Sequence, residues 1–244
     1  MEHWEALCPG GLKMAYDDDL FRPGTDSFLL SSLPRLKPGL KVCDLGCGTG
    51  LLGLLLLQRE RGLHVTGIEL QPKAAELGQR CAEENRIEDR LSIRQGDLRE
   101  VRQQFPTGSF DLCICNPPYY ESVRGKTARE EAIRTARSEL TCTLEDVCAA
   151  ASYLLRWGGS FCLVHKPERL TDVLCTMRQY KIEPKQLRFV CKNAACAPSL
   201  LLCEGRRGGN SGLTVLPPLL LETEDGEPTP ELNAIYFRKE ESPS

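Results

Sequence analysis

The chain has no long apolar run. Its densest stretch, Leu51-Leu-Gly-Leu-Leu-Leu-Leu57, covers seven residues, far below the roughly 20 that cross a bilayer. The first residues, Met-Glu-His-Trp-Glu, place no basic segment ahead of an apolar one, so neither a membrane helix nor a secretory leader is expected and a cytoplasmic protein is the default. Histidine is scarce: His3, His64 and His165 are scattered. The thirteen cysteines include no C-x-x-C pair, which excludes the usual zinc spacings. Cys113 and Cys115, two apart on a strand, share one face of a sheet, but like Cys43/Cys47 and Cys191/Cys196 they lack partner ligands. The cysteines therefore read as reduced, mostly buried thiols, and no metal site is expected. A compositional break is missing too. With 244 residues and 41% hydrophobic content, one domain over 1–244 can bury a sizeable core.

The net charge of −3 hides an uneven distribution. Residues 1–26 carry −4, residues 222–244 carry −5, and the middle is therefore +6. Two basic stretches stand out. Arg124, Lys126, Arg129, Arg134 and Arg137 form the first; Lys181, Lys185, Arg188, Lys192, Arg206 and Arg207 form the second. Such a surface can neutralise several phosphates, although a charge run can equally be a solvated face.

Short strand-like runs alternate with helical patterns. Asp26 reads as the N-cap of a helix through Phe28, Leu29, Leu30 and Leu33. Strands are expected at 41–45, 64–68, 91–94 and 110–115, with helices at 51–61 and 72–84, the latter opened by Pro72. Thr143-Leu-Glu-Asp146 has the form of a capping box and opens a helix to about Leu155. Gly158-Gly159 turn the chain into a strand at 160–164. A helix at 167–180 and two strands at 186–191 and 199–203 complete the pattern, the last two as an antiparallel pair. Phe105, Phe110 and Trp157 read as core. Residues 1–38 form a covering segment and 222–244 an acidic tail. The alternation predicts an α/β fold with a doubly wound, mostly parallel sheet, whose ligand site lies outside the carboxyl ends of its strands.

At the end of the first of those parallel strands stands Asp44-Leu-Gly-Cys-Gly-Thr-Gly50. Gly46, Gly48 and Gly50 let backbone come close to a ligand before the next helix. The dinucleotide fingerprint would place Gly or Ala at position 51; Leu51 and the acidic Asp44 argue against a pyrophosphate binder. Glu69 ends the second strand, where a carboxylate can accept from both hydroxyls of a ribose. Asp97 ends the third, placed to accept from an adenine amine.

The fourth strand is stopped by Asn116-Pro117-Pro118-Tyr119. Two prolines fix φ and remove two backbone donors, so the chain must leave the sheet as a stiff loop with free carbonyl acceptors. Asn116 adds a side-chain acceptor and Tyr119 a ring that stacks on a planar group. Together they can grip a conjugated amino group. A plain strand-to-loop turn is the alternative for the tetrapeptide alone.

With Asp44–Gly50 as glycine motif and Asn116–Tyr119 as amine-methylating signature, the chain resembles the class I S-adenosylmethionine-dependent methyltransferases. That resemblance implies a Rossmann-like seven-stranded sheet. Phe21-Arg-Pro-Gly-Thr-Asp26-Ser-Phe-Leu-Leu30, Thr135–Asp146 and Asp225-Gly-Glu-Pro-Thr-Pro-Glu231 with Ile235-Tyr236 narrow it. They are similar to the bacterial tRNA1(Val) (adenine-N6)-methyltransferases, which modify adenine at tRNA position 37. The resemblance implies S-adenosylmethionine held by Asp44, Gly46, Cys47, Gly48, Gly50, Glu69, Leu70, Asp97, Leu98 and Asn116, with Arg22 and Asp26 closing over its methionine end. It implies catalysis by Asn116, Pro117 and Tyr119, and an anticodon loop held by Arg124, Lys126, Arg129, Arg134 and Arg137.

One departure concerns Ser138, where the family pattern often has histidine; this bears on substrate choice more than on reaction type. A glutamine side-chain amide is also a planar NH2 group, so a protein-glutamine N5-methyltransferase of the release-factor type is the main rival. Another rRNA or DNA amino-group methyltransferase is a further one. The release-factor enzymes typically carry a sizeable helical domain before the glycine loop, and 41 residues precede Val42 here. A catalytically silent cofactor-binding module is disfavoured by Asp44, Glu69, Asp97 and Asn116 being intact.

Overall fold

The computed structural model describes residues 1–18, 20, 24–117 and 142–238. Five strands run parallel at its centre: β3 (Lys41–Leu45), β4 (His64–Glu69), β5 (Leu91–Gln95), β6 (Phe110–Cys115) and β7 (Leu155–His165), in the order β5-β4-β3-β6-β7. Beyond β7 lies the antiparallel pair β8 (Ile182–Cys191) and β9 (Pro198–Arg207), with β9 next to β7. The chain thus builds outward from β3 to β5 and then returns to lay β6 on the other side of β3. A crevice opens where that order reverses.

Both faces of the sheet are covered, which suits its apolar strands. In β3 the period-2 alternation sends Val42 into one core with Leu54, Leu91 and Ile114, and Cys43 and Leu45 into the other with Phe161 and Leu163. Helices α1 (Thr25–Ser31), α2 (Leu51–Arg59), α3 (Pro72–Glu84), α4 (Val101–Gln104), α5 (Leu144–Leu154) and α6 (Leu170–Gln179) supply the outer layers. Pro72 occupies the first turn of α3, and Thr143 caps α5 through the expected box: its hydroxyl accepts from Asp146 N at 3.1 Å while the Asp146 carboxylate accepts from Thr143 N at 2.9 Å.

Several expectations change. Gly24, not Asp26, is the N-cap of α1; it makes no side-chain cap bond, and Asp26 sits one step inside the first turn. The glycines at 158 and 159 lie within β7 rather than before it, with Gly158 at φ +78° and a register shift opposite Phe110 and Leu112. The helix expected at 167–180 starts as a 3-10 turn, Pro167–Arg169. Strands β8 and β9 are each ten residues long. The seven-stranded sheet gains two short strands, β10 (Thr214–Val215) and β11 (Leu219–Leu220), both parallel to β8. Two-residue pairings around Pro217 and Pro218 leave no periodicity to read.

The N-terminal segment contains an antiparallel hairpin, β1 (Glu2–Ala6) and β2 (Lys13–Asp17), bent through Pro9-Gly10-Gly11. The acidic C-terminal segment is not a loose tail as far as residue 238. Helix α7 (Pro230–Ile235), capped by Thr229, buries Ile235 and stacks Tyr236 on Phe28, with ring centroids 4.4 Å apart and planes 4° apart. Phe105 and Phe110 are core residues in edge-to-face contact, but Trp157 is 67% exposed, against expectation. No helix among the described residues is long and apolar enough to cross a membrane, and no group of potential metal ligands occurs among them.

Candidate active site

A cavity of about 300 Å³ lies at the carboxyl ends of β3, β4, β5 and β6, within the size range of small-molecule sites. Asp44, Glu69, Asp97 and Asn116 all line it. Four acceptors from four successive strand ends thus converge although they span residues 44 to 116. Gly46, Cys47, Gly48, Leu70 and Leu98 line it as well.

The glycine loop is pinned to its neighbour strand. Gly46 N and Cys47 N both donate to Ile68 O, at 2.9 and 3.1 Å, and Gly48 N donates to Glu69 Oε2 at 2.8 Å. Gly48 adopts φ +55°, and a Cβ built there meets nothing in the protein. Gly48 lines the cavity, and the space beside it is open. Gly50 does a different job: at φ +80° it caps α2, and its missing Cβ makes room for Ile93, so it serves the turn rather than the cavity wall.

Glu69 is held by two backbone donors, Gly48 N on Oε2 and Gln71 N on Oε1, both at 2.8 Å. Each carboxylate oxygen has a second lone pair, so a vicinal diol can still be received. Asp97 is tied to Arg99 through both oxygens, with the shortest contact, Nη2 to Oδ2, at 2.6 Å. The Arg99 side chain lowers the Asp97 pKa from its ordinary range, so Asp97 is an ionised acceptor at neutral pH. Leu70, 38% exposed, presents apolar surface to the cavity.

Asp44 is the anomaly. It is 2% exposed, and its Oδ2 has no hydrogen-bond partner among the described residues. Burial, and then the charge of Glu69, push its pKa up to about 8; a backbone hydrogen bond from Gly53 pulls the other way. A buried carboxylate oxygen without a donor is costly. Such an atom beside a cavity fits a ligand that brings a cationic group. With the ribose-ready Glu69, the empty volume over Gly48 and the apolar surface of Leu70, the residues present suit S-adenosylmethionine, whose parts are an ammonium, a ribose and a purine.

Asn116 donates from Nδ2 to Ser27 Oγ at 3.0 Å. As placed, the amide turns Nδ2 to Ser27 and leaves Oδ1 as the acceptor end. Ser27, 7% exposed, also lines the cavity. Pattern reading missed it: its partner is 89 residues away, and a serine in a first helical turn carries no local signature. Asp26, its neighbour, is half-exposed and not part of the cavity wall. Arg22, Pro118, Tyr119, Arg124, Lys126, Arg129, Arg134, Arg137 and Ser138 lie outside the described residues.

The methyltransferase small domain family model matches residues 18–179. Proteins from two strains of Porphyromonas gingivalis, named tRNA1(Val) (adenine(37)-N6)-methyltransferase, are 32% and 33% identical over 191 and 196 residues, which cover 76% of this chain and 74% of theirs. A Yersinia pseudotuberculosis protein of the same name is 32% identical over 152 residues, 62% of this chain and 59% of that one. Among solved structures, a predicted O-methyltransferase from Agrobacterium tumefaciens superposes with a TM-score of 0.73 at 22% identity, covering 87% of this chain and 96% of that one. Geranyl diphosphate C-methyltransferase from Streptomyces coelicolor, solved with S-adenosyl-L-homocysteine, gives 0.53 at 18% identity, covering 74% of this chain and 75% of that one. Those two likenesses speak for the fold alone. The sequence relatives and the family model go further: the chain is an S-adenosylmethionine-dependent methyltransferase and belongs to the methyltransferase small domain family, with tRNA1(Val) (adenine(37)-N6)-methyltransferases among its relatives.

Proposed function

We propose that this chain methylates the exocyclic N6 amine of an adenine in a tRNA anticodon loop, at position 37. The observation that carries the reading is Asn116: it sits on the wall of the cavity lined by Asp44, Glu69 and Asp97, with its amide oriented by Ser27. The names of the sequence relatives point the same way.

In this reading S-adenosylmethionine supplies a methyl already activated on a sulfonium, so no strong base is demanded of the protein. What the chain must do is hold the amine in line at a near-attack distance of about 3–3.5 Å. Asp44 faces the ammonium, Gly46, Cys47 and Gly48 let the backbone close on the ligand, and Glu69 accepts from the ribose. Asp97 accepts from the purine amine, between the apolar surfaces of Leu70 and Leu98. An exocyclic amine donates its lone pair into the ring. The Asn116 Oδ1 and the Pro117 carbonyl, accepting its two protons, favour a more pyramidal and more nucleophilic nitrogen. Tyr119 stacks on the ring, and Arg22 and Asp26, within the covering segment 1–38, close over the methionine end. An anticodon loop is already single-stranded, so turning out one base costs little. Arg124, Lys126, Arg129, Arg134 and Arg137 then hold its phosphates, and a tRNA substrate places the chain in the cytoplasm.

The test is transfer of labelled methyl into total tRNA lacking the modification, followed by nucleoside mass spectrometry, with a release-factor protein in parallel. Label in N6-methyladenosine at position 37 is expected. Label in a glutamine of the protein, and none in RNA, overturns the adenine reading.

A further inference from the structure

A second groove, of about 260 Å³, opens at the opposite end of the sheet, where β3, β6 and β7 begin. Its wall holds four cations, Arg35, Lys37, Arg156 and Arg206, against two carboxylates, Asp111 and Glu204. Both carboxylates are already engaged. Asp111 accepts from Arg156 Nε at 2.5 Å and from Lys41 N at 2.9 Å, and Glu204 accepts from the Ser160 hydroxyl at 2.9 Å. The side chains of Arg35, Lys37 and Arg206 have no hydrogen-bond or ion-pair partner among the described residues. They are held there by their neighbours. Pro34 and Pro38 bracket the loop that carries Arg35 and Lys37, and Leu36 between them packs on the core.

An exposed aromatic lies in sequence between Arg156 and Gly158 of the wall. Trp157, next to Arg156, is 67% exposed, yet its ring is seated on Gly208, where an added Cβ would fall 2.2 Å from it. One side of the indole is therefore fixed and the rest faces water. Of the basic stretch 181–207, four members are satisfied internally. Lys185 donates to Asn210 O, Arg188 pairs with Glu231, Lys192 with Glu222, and Arg207 donates to Leu155 O. Arg206 is the member turned into the groove. Unpaired cations around a groove, with an exposed indole one residue from Arg156 and Gly158 of its wall, are the parts of a site for a polyanion that carries planar bases.

We propose that this groove is a second RNA-binding site, which takes a phosphodiester segment on Arg35, Lys37 and Arg206 and stacks a base on Trp157. The proposal rests on the RNA reading of the active site. The two sites lie at opposite ends of five- and six-residue strands, about 15–20 Å apart at 3.3 Å per residue. At roughly 3.4 Å of rise per phosphate in a stacked strand, RNA reaching both extends about five or six nucleotides beyond the target base. A whole tRNA meets that requirement; a short loop fragment does not.

The test replaces Arg35, Lys37 and Arg206 together with serine in the full chain. Expected is at least a tenfold weaker affinity for full-length tRNA at moderate salt and a salt dependence shallower by about two to three log units per log unit. Turnover at saturating RNA, cofactor affinity and methylation of a five-nucleotide loop fragment stay as in the unsubstituted enzyme. In a Trp4→Phe background, Trp157 is the sole tryptophan, and its fluorescence should be quenched by tRNA but not by the fragment. Methylation of tRNA by the unsubstituted enzyme, with unchanged affinity and salt slope in the triple variant, overturns the groove and leaves the active-site reading intact. Salt-dependent tRNA binding that is lost in the triple variant, without any adenine methylation, keeps the groove and removes the active-site reading.

Discussion

The amide nitrogen of Asn116 donates to the hydroxyl of Ser27 across 3.0 Å, joining the end of β6 to the first turn of α1. A hydroxyl can donate or accept, so the contact holds the amide in place. With Nδ2 turned to Ser27 the carbonyl is the presenting end, the arrangement that the role proposed for Asn116 needs.

Ser27→Ala should therefore lower kcat while leaving cofactor affinity unchanged. A lost hydrogen bond with a half-buried donor left behind is worth about 1–2 kcal/mol, a rate loss of roughly five- to thirtyfold. Asn116→Ala should cost more, and adding Ser27→Ala to it should cost almost nothing further, because the two act as one unit. Additive losses in the double variant, measured at saturating RNA, would show that Ser27 works through something other than Asn116.

Glu69→Ala should weaken S-adenosylmethionine binding tenfold or more, read by calorimetry. Two effects add. The ribose loses charge-assisted acceptors worth about 1.5–3 kcal/mol each, and Gly48 N loses the partner that pins the glycine loop. An unchanged affinity would remove the ribose assignment.

The central fold was legible because its signals are local. The Thr143 capping box, the proline opening α3 and the apolar runs of β3 and β6 each fit within a few residues. What escaped depends on distant partners. The hydrophobicity of Trp157 suggests burial, but Gly208 covers only one side of it. The acids of 222–231 suggest a solvated tail, yet Arg188 pairs with Glu231 and Ile235 finishes the core. At the site, motif residues on strand ends could be read from the sequence, whereas Ser27 could not. Asp26 looked like a cap because acids favour that position, but Gly24 already occupied it.

Asp44→Asn should raise the thermal stability of the cofactor-free protein near neutral pH. The sign follows from linkage. The folded-state pKa of about 8 lies above the ordinary carboxylate value of 3.8, so between those values the unfolded chain has released a proton that the folded one keeps. Stability then falls as pH rises from about 4 to about 8. The asparagine variant lacks this slope. Melting curves of the two proteins should converge near pH 4 and separate toward pH 8, with cofactor binding lost in the variant. Parallel curves across that range would mean that Asp44 ionises normally in the empty site.

Tyr236→Ala tests whether the C-terminal segment supports catalysis from outside the cavity. Tyr236 stacks on Phe28, the residue after Ser27, and Arg59 ties the same segment down: its guanidinium donates to Ser31 Oγ at 3.0 Å and Ile235 O at 2.8 Å and lies over the Phe237 ring. Burial lowers the Arg59 pKa to about 10, which leaves it charged at neutral pH. Helix α1 is thus tied to the C-terminal segment through Phe28 and Ser31. Losing the stack should cost about 1–2 kcal/mol, a fall of roughly 2–8 °C in Tm for a domain of this size. If this tie also sets the position of Ser27, kcat should drop with the cofactor Kd unchanged, and that drop should disappear in a Ser27→Ala background, where there is no longer a hydroxyl to misplace. A fall in Tm with unaltered kcat would make the segment a stabilising strap and nothing more.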